Sequence, residues 1–189
     1  MTSNCNLRGA SLSSSLYGAG AEYALHSLLT LASQPEPVSV RDLATYQKIP
    51  ERFLAKIFTR LKKAKLVESI EGISGGFALA RPAGEIRVME VLAAVDPDRT
   101  LFACAEIRSN CALFDATAPE WATAGTCRIH AVMLDAERVL QDFLGSKTLA
   151  DLMCEFEHKA PKKFLQATGT WFQQRKITRT QKNPINHNG

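Results

Sequence analysis

The sequence lacks several features that would place it in a common class of protein. It has no run of about 18 apolar residues, which excludes an ordinary transmembrane helix. The stretch Met1–Ser15 has no basic start followed by an apolar core, so no signal peptide is predicted and we expect a cytoplasmic protein. Neither a nucleophile–base motif nor a phosphate-binding glycine loop occurs, so we expect a protein that is not an enzyme.

The cysteines are few and do not suggest disulfide bonds. The chain has 5 of them, an odd number, and a reducing compartment favours thiols that act as metal ligands or redox switches. Cys104, Cys111 and Cys127 lie in one stretch, with His130 three residues beyond the last. These spacings are too wide for the tight cysteine pairs that zinc prefers. Spacing alone therefore leaves open which metal these residues would bind, and whether they are ligands or incidental thiols.

The formal net charge of +4 is unevenly distributed. From Lys159 onward every charged side chain is basic, and the rest of the chain carries more acidic than basic residues. Within that acidic remainder, residues 51–65 hold six lysines and arginines against the single acid Glu51. A concentrated basic segment on an acidic body indicates a nucleic-acid partner, although such runs can also be plain solvated helix faces.

The apolar pattern around this basic segment predicts a winged helix-turn-helix. A helix is predicted over 16–32, a short helix from Ser39 to about residue 46, and a basic amphipathic helix from Pro50 to about residue 64. Two strand-like runs, 67–70 and 77–80, follow and are joined by a glycine-rich turn. We expect the DNA-contacting residues to be Arg52, Phe53, Lys56, Arg60, Lys63, Ser74 and Gly75.

The second half of the chain predicts a connection and a pairing helix. A further helix is predicted over 86–95, and the stretch 98–125 has little periodicity. From Arg128 to Leu144 apolar residues alternate three and four apart, which is typical of a helix that pairs with a second copy. The expected fold is mainly α with a small β-wing. The expected parts are a disordered leader (1–14), a DNA-binding domain (15–97), a cysteine sensor loop (98–128), a dimerisation helix with a short C-terminal helix (129–158) and a basic flexible tail (159–189).

This order of elements resembles the Rrf-two-type family of bacterial winged-helix transcriptional regulators, the IscR/NsrR/RsrR family. The resemblance covers about Tyr17 to Phe156, and includes the wing, the segment 90–96, the cysteine loop and the dimer helix. It implies a homodimer that binds a near-palindromic site in double-stranded DNA. Several family members carry an iron–sulphur cluster between the DNA-binding domain and the dimer helix, so the resemblance also implies such a cofactor.

Within the family, the resemblance is closest to 2Fe–2S redox sensors of the RsrR type. It implies that Cys104 and Cys127 of one subunit hold the cluster together with Glu22 and His26 of the other. Other members use three cysteines and one further ligand, which here implies Cys104, Cys111 and Cys127 with Glu22 or His130. A 2Fe–2S cluster is favoured over a 4Fe–4S cluster. Mixed cysteine and histidine ligation raises the reduction potential of such clusters.

Two other functions remain open at this point. The first is a winged-helix regulator without a cluster, which senses thiol oxidation or a small ligand. The second, from a different class, is an iron–sulphur electron carrier or scaffold whose DNA-binding domain has lost its role. Salt-dependent binding to DNA distinguishes the regulators from the carrier, and visible absorbance distinguishes the cluster-bearing proteins from the cluster-free regulator.

Overall fold

The computed structural model describes residues 16–72, 74–114 and 117–182, so the predicted leader lies outside it. The described part is mainly helical with one antiparallel two-stranded sheet, which confirms the predicted fold class. Within that part, no helix is long and apolar enough to cross a membrane. The elements are α1 (Ala19–Ala32), α2 (Val40–Gln47), α3 (Glu51–Lys63), β1 (Val67–Ile70), β2 (Gly76–Leu79), α4 (Val88–Val95), α5 (Glu120–Thr123), α6 (Arg128–Ser146), α7 (Leu149–Lys159) and α8 (Lys162–Lys182).

The core of the predicted DNA-binding unit forms because α3 is strongly amphipathic. Leu54, Ile57, Phe58 and Leu61 recur at helical spacing and are at most 3% exposed. They pack with apolar residues of α1, α2 and α4 in one cluster. Burial of this face leaves the opposite, basic face of α3 directed to solvent.

The two strands form the expected wing, and a third short segment extends it. Val67 pairs with Leu79 and Ile70 with Gly76. The backbone of Val38 bridges to that of Phe77 through two hydrogen bonds of 2.9 and 2.8 Å. The wing is therefore attached to the segment that leads into α2.

Gly76 allows this attachment, because a Cβ atom there would lie 2.5 Å from the carbonyl of Val38. We expect Gly76→Ala to lower the free energy of unfolding by about 1–3 kcal/mol, because the bridging strands must move apart. Gly84→Ala is the control, since a Cβ at Gly84 meets only the Ala150 methyl at an ordinary 3.9 Å. Urea unfolding followed by circular dichroism measures both, and equal midpoints would refute the role of Gly76.

Helix α6 differs from the helices of the core, because none of its residues is buried within the described chain. Its side chains at 140 and 144 lie on the face that contacts α4 and α1. A second face carries large apolar side chains that are 59–67% exposed: Ile129, Val132, Val139 and Phe143. The sequence predicted the end of this helix at Gly145, but the helix continues to Ser146.

The C-terminal region contradicts the prediction of an aperiodic, flexible tail. Residues 162–182 form α8, which packs on the predicted DNA-binding unit, while residues 183–189 lie outside the described part. Trp171 and Phe172 contact the ring of Tyr46 with centroids 5.3 and 5.0 Å away. The Tyr46 hydroxyl lies 2.9 Å from the Thr168 hydroxyl.

The ion pairs of α8 involve Asp42, which is only 2% exposed. Its carboxylate accepts hydrogen bonds from Ser39 and Arg175 at 2.8 and 3.0 Å, and Arg179 lies 3.3 Å away. Asp42 and Arg175 are 133 residues apart in sequence. Local periodicity could not reveal this pairing, and α8 has only a weakly segregated apolar face.

Loss of both arginines would leave the Asp42 carboxylate buried without a cation. We expect Arg175→Ala with Arg179→Ala to lower the free energy of unfolding by about 2–3 kcal/mol. This is less than a fully buried pair would lose, because the arginine side chains are 41% and 28% exposed. Lys162→Ala with Lys163→Ala removes the same charge from exposed positions and should change stability by less than about 0.5 kcal/mol. Equal losses in the two double variants would show that the ion pairs between Asp42 and α8 do not stabilise the fold.

Candidate functional site

The outer face of α3 carries a compact basic surface. Arg52, Lys56 and Lys63 are all exposed. At about 100° per residue, they fall within an arc of about 40° on the helix. We name these three residues the α3 basic face. Its N-terminal end is the part of a recognition helix that reaches base edges in the major groove.

Phe53 and Arg60, which were predicted with the basic face, lie on its flank toward α1 and α4. The ring of Phe53 meets that of Tyr23 edge-to-face, with centroids 5.8 Å apart. Arg60 donates a hydrogen bond to the carbonyl oxygen of Val95 at the end of α4. These two residues therefore connect α3 to its supporting helices, a role that helical spacing alone does not reveal.

The wing tip places Ser74 in solvent, where it could contact a DNA backbone. Gly75 has a structural reason to be glycine, because a Cβ there would lie 2.2 Å from the carbonyl oxygen of Ile70. Gly72 has φ +111°, a conformation that favours glycine. The glycines therefore shape the tight turn, which carries Ser74 outward.

Arg108 connects two parts of the cysteine-containing loop (98–128). Its guanidinium donates to the carboxylate of Glu106 and to the carbonyl oxygens of residues 123–125. The bond to Glu106 raises the pKa of Arg108, and the nearby thiols of Cys127 and Cys104 raise it further. The same bond lowers the pKa of Glu106. Arg108 thus ties the Cys104 segment to the chain just before Cys127, a role that sequence reasoning missed because an isolated arginine in a loop gives no signal.

The loop thiols fall into two groups. Cys104 and Cys127 are half-buried beside Arg108, and Cys111 is exposed. All four described cysteines, including Cys154, are free thiols. The His130 ring lies 6.0 Å from that of Phe102, so it packs against the start of the loop.

Glu22 and His26 lie one turn apart on α1 and are both exposed. They line a groove of about 720 Å³ between α1 and the α7–α8 pair. Among the described residues of one chain, no three His, Cys, Asp or Glu side chains lie close enough to share a metal ion. Neither predicted ligand set is therefore assembled within a single described chain.

The α1–α4 fold, the wing and the α3 basic face define a winged helix-turn-helix DNA-binding protein. A family model described as "Rrf2: Iron-dependent Transcriptional regulator" matches residues 17–155. The chain belongs to this family and is a transcriptional regulator, not an enzyme, which confirms those expectations. The matched region ends before α8 begins.

Curated relatives and solved structures agree with this assignment. The transcriptional regulator IscR of Xenorhabdus nematophila is 35% identical over 69% of this chain and 74% of its own length. IscR of Vibrio parahaemolyticus is 33% identical over 71% of this chain and 75% of its own. The fold resembles the global cysteine regulator CymR of B. subtilis (TM-score 0.58, 19% identity, 73% and 95% of the two chains). It also resembles T. potens IscR (TM-score 0.57, 22% identity, 84% and 97%).

The position of Lys56 in the α3 basic face leads to a direct prediction for this DNA-binding regulator. Lys56→Ala should weaken operator binding by about 1–3 kcal/mol if it contacts a base, and lower the salt dependence by about one ion if it contacts a phosphate. Lys159→Ala, an exposed charge at the end of α7, is the control. Fluorescence anisotropy at several salt concentrations measures both. Identical affinity and salt slope for Lys56→Ala and wild type would exclude this face as the DNA contact.

Proposed function

We propose that this chain is a homodimeric regulator that senses redox or iron–sulphur status through a 2Fe–2S cluster shared between subunits. Cys104 and Cys127 of one subunit and Glu22 and His26 of the other would be the ligands. The observation that carries the proposal is that the potential metal ligands lie in two separate places in the described chain. Two half-buried thiols are held near one arginine, and a carboxylate and an imidazole share an exposed helix face elsewhere.

This donor set fits an iron–sulphur cluster chemically. Thiolates are the usual ligands, and imidazole replaces them in centres of higher potential. The guanidinium of Arg108 lies beside both thiols, and the thiolate is the form of cysteine that binds metal. When bound, such a cluster supplies one-electron redox chemistry.

A second copy of the chain is the simplest cover for the exposed side chains of α6. Ile129, Val132, Val139 and Phe143 form a stripe with spacings of three, seven and four residues, as in a coiled-coil seam. A two-fold dimer through this stripe would present two α3 helices to successive major grooves, about 34 Å apart, which favours a near-palindromic operator.

The contacts of α1 indicate how the sensor would act on DNA binding. Glu22 and His26 belong to the same helix as Tyr23, whose ring contacts Phe53 of α3. A change in the contact between α1 and the partner's loop would therefore reach the recognition helix through this aromatic pair and through the apolar core that α1 and α3 share. Coupling of about 1–3 kcal/mol would change operator affinity several-fold to about a hundredfold.

An anaerobic visible spectrum with iron and sulphide analysis tests the cofactor. We expect charge-transfer absorbance and about two irons and two sulphides per site, as a 2Fe–2S cluster requires. A colourless sample without iron or sulphide, purified and reconstituted under anaerobic conditions, would refute the cluster. Salt-dependent operator binding by such a sample would leave the regulator function standing and exclude the electron carrier.

A cluster-free thiol sensor is the second candidate, and the exposure of Cys111 favours it. An exposed thiol can be oxidised reversibly to sulphenic acid or a disulfide. A solved neighbour of this fold is the oxidised form of CymR from Staphylococcus aureus (TM-score 0.52, 18% identity). In this case peroxide would change the operator affinity of the iron-free protein, and Cys111→Ser would abolish that response.

A further inference from the structure

The groove beside α1 is built by a helix that lies outside the family match. One wall is α1 with the turn after α2, and the other consists of the end of α7 and the start of α8. The family model ends at residue 155, whereas Phe156, Glu157 and Phe164 of the second wall follow it. One wall of the groove is thus formed largely by residues beyond the matched region.

The size and lining of the groove suit a small organic molecule. Its volume of about 720 Å³ falls within the usual range of about 300–1,000 Å³ for ligand sites. The rings of Tyr23, Tyr46, Phe156 and Phe164 contribute to its walls. Phe156 and Phe164 meet edge-to-face, with centroids 6.4 Å apart, and each is 48% exposed. A flat or bulky apolar body could cover these rings.

The neutral polar groups of the walls already bond to one another. Gln47 accepts from Ser27 at 2.8 Å and donates to Thr30 at 3.1 Å. The hydroxyls of Tyr46 and Thr168 bond to each other across the groove. These side chains already have hydrogen-bond partners, so they do not require a ligand that forms hydrogen bonds.

The charged groups of the groove are acidic, although the whole chain has net charge +4. Glu22 and Glu157 line it from opposite walls, and His26 lies beside Glu22. Among the described residues of the lining, none is lysine or arginine. No ion pair or hydrogen bond engages either carboxylate within the described part of the chain. Aromatic faces and carboxylates together attract an apolar cation.

We propose that this groove binds hydrophobic organic cations, such as quaternary phosphonium or ammonium compounds. The aromatic walls hold the apolar body, and the carboxylates at the rim balance the charge. Because Tyr46, Gln47 and Ile49 of the helix-turn-helix belong to the lining, occupation of the groove acts on the DNA-binding unit directly. This inference goes beyond the proposed cluster, whose ligands Glu22 and His26 also line the groove. The carboxylate of Glu157 is available in the groove whether or not a cluster is bound.

A pair of ions with one shape and opposite charges tests the proposal. Tetraphenylphosphonium and tetraphenylborate are titrated into the full-length protein by isothermal calorimetry. We expect the phosphonium to bind at least about tenfold more tightly than the borate, because only the cation is attracted by the carboxylates. Equal binding of the two ions would show that the groove binds through its apolar surface alone, which would overturn the proposal. Absence of binding by both ions would exclude the site.

Variants locate the binding in the groove. Glu157→Gln should weaken phosphonium binding by about twofold to fivefold, in line with an exposed charge. Glu155→Gln removes the same charge from the same helix outside the groove and should leave binding unchanged. Equal effects of the two variants would overturn the assignment. Because Glu157 is not a proposed cluster ligand, both variants should keep the visible absorbance of the wild type. Weaker phosphonium binding with unchanged absorbance would therefore not reflect loss of the cluster.

Discussion

Replacement of His26 by alanine is expected to bleach or shift the visible absorbance of anaerobically purified protein, whereas Cys111→Ala should leave it largely intact. The reason is the position of the two side chains. His26 shares an exposed face of α1 with Glu22, while Cys111 is exposed in the loop and is surplus to the proposed set of four ligands. Changes to the residues around metal ligands typically lower metal affinity by about tenfold to hundredfold. Loss of a ligand itself should lower the affinity for the cluster by more than that. Iron and sulphide analysis of both variants measures the effect.

The opposite outcome, loss with Cys111→Ala and retention with His26→Ala, would favour the three-cysteine set with Glu22 or His130. His26→Cys is a useful companion variant, because a thiolate can replace the imidazole as a ligand while altering the reduction potential. A restored cluster with a lower potential would support a direct bond at this position. A His26→Cys protein with wild-type spectrum and potential would contradict it.

A mixed dimer shows whether the ligands come from two subunits. One subunit carries Glu22→Ala and His26→Ala, and the other carries Cys104→Ala and Cys127→Ala, with different affinity tags. If each site draws on both chains, the mixed dimer has one complete site and one empty site. If each site lies within one chain, neither is complete. About half of the wild-type iron is therefore expected for the shared arrangement, and none for the separate one.

The DNA-binding unit was predictable because its signals are local. The apolar spacing of α3, the proline before it and the glycine-rich turn after it each determine structure within a few residues. Helix α3 accordingly begins at Glu51 and ends at Lys63, close to the predicted bounds. The family resemblance rests on the same segments, and the family match confirms it.

The parts that escaped prediction depend on distant contacts. Helix α8 is positioned by Asp42, Tyr46 and Glu36, all more than 120 residues earlier in the chain. Arg108 organises the loop through backbone carbonyls, which any sequence offers. Composition made the tail resemble a solvated basic segment, but a few aromatic residues and a buried carboxylate were enough to fold it.

Two glutamates in the exposed stripe of α6 are expected to convert the proposed dimer to monomers. Val132 and Val139 lie seven residues apart on one face and are each 65% exposed in the single chain. In a paired helix these positions would face each other across the two-fold axis, so Val132→Glu with Val139→Glu would place like charges in an apolar seam. Sedimentation equilibrium should show the monomer mass.

Loss of the dimer should also affect the cluster and operator binding. If Glu22 and His26 complete the partner's site, a monomer cannot hold the cluster, and visible absorbance should fall together with the dimer. Operator binding should weaken by about 10³-fold or more, because only one recognition helix remains on each half-site and binding approaches the non-specific level. Arg138→Glu changes the net charge by the same two units on a solvent-facing position of α6 and should preserve all three properties. A monomeric double variant that kept its cluster would show that the cysteine loop does not need the partner's α1, and the sensor would then have to act within one chain.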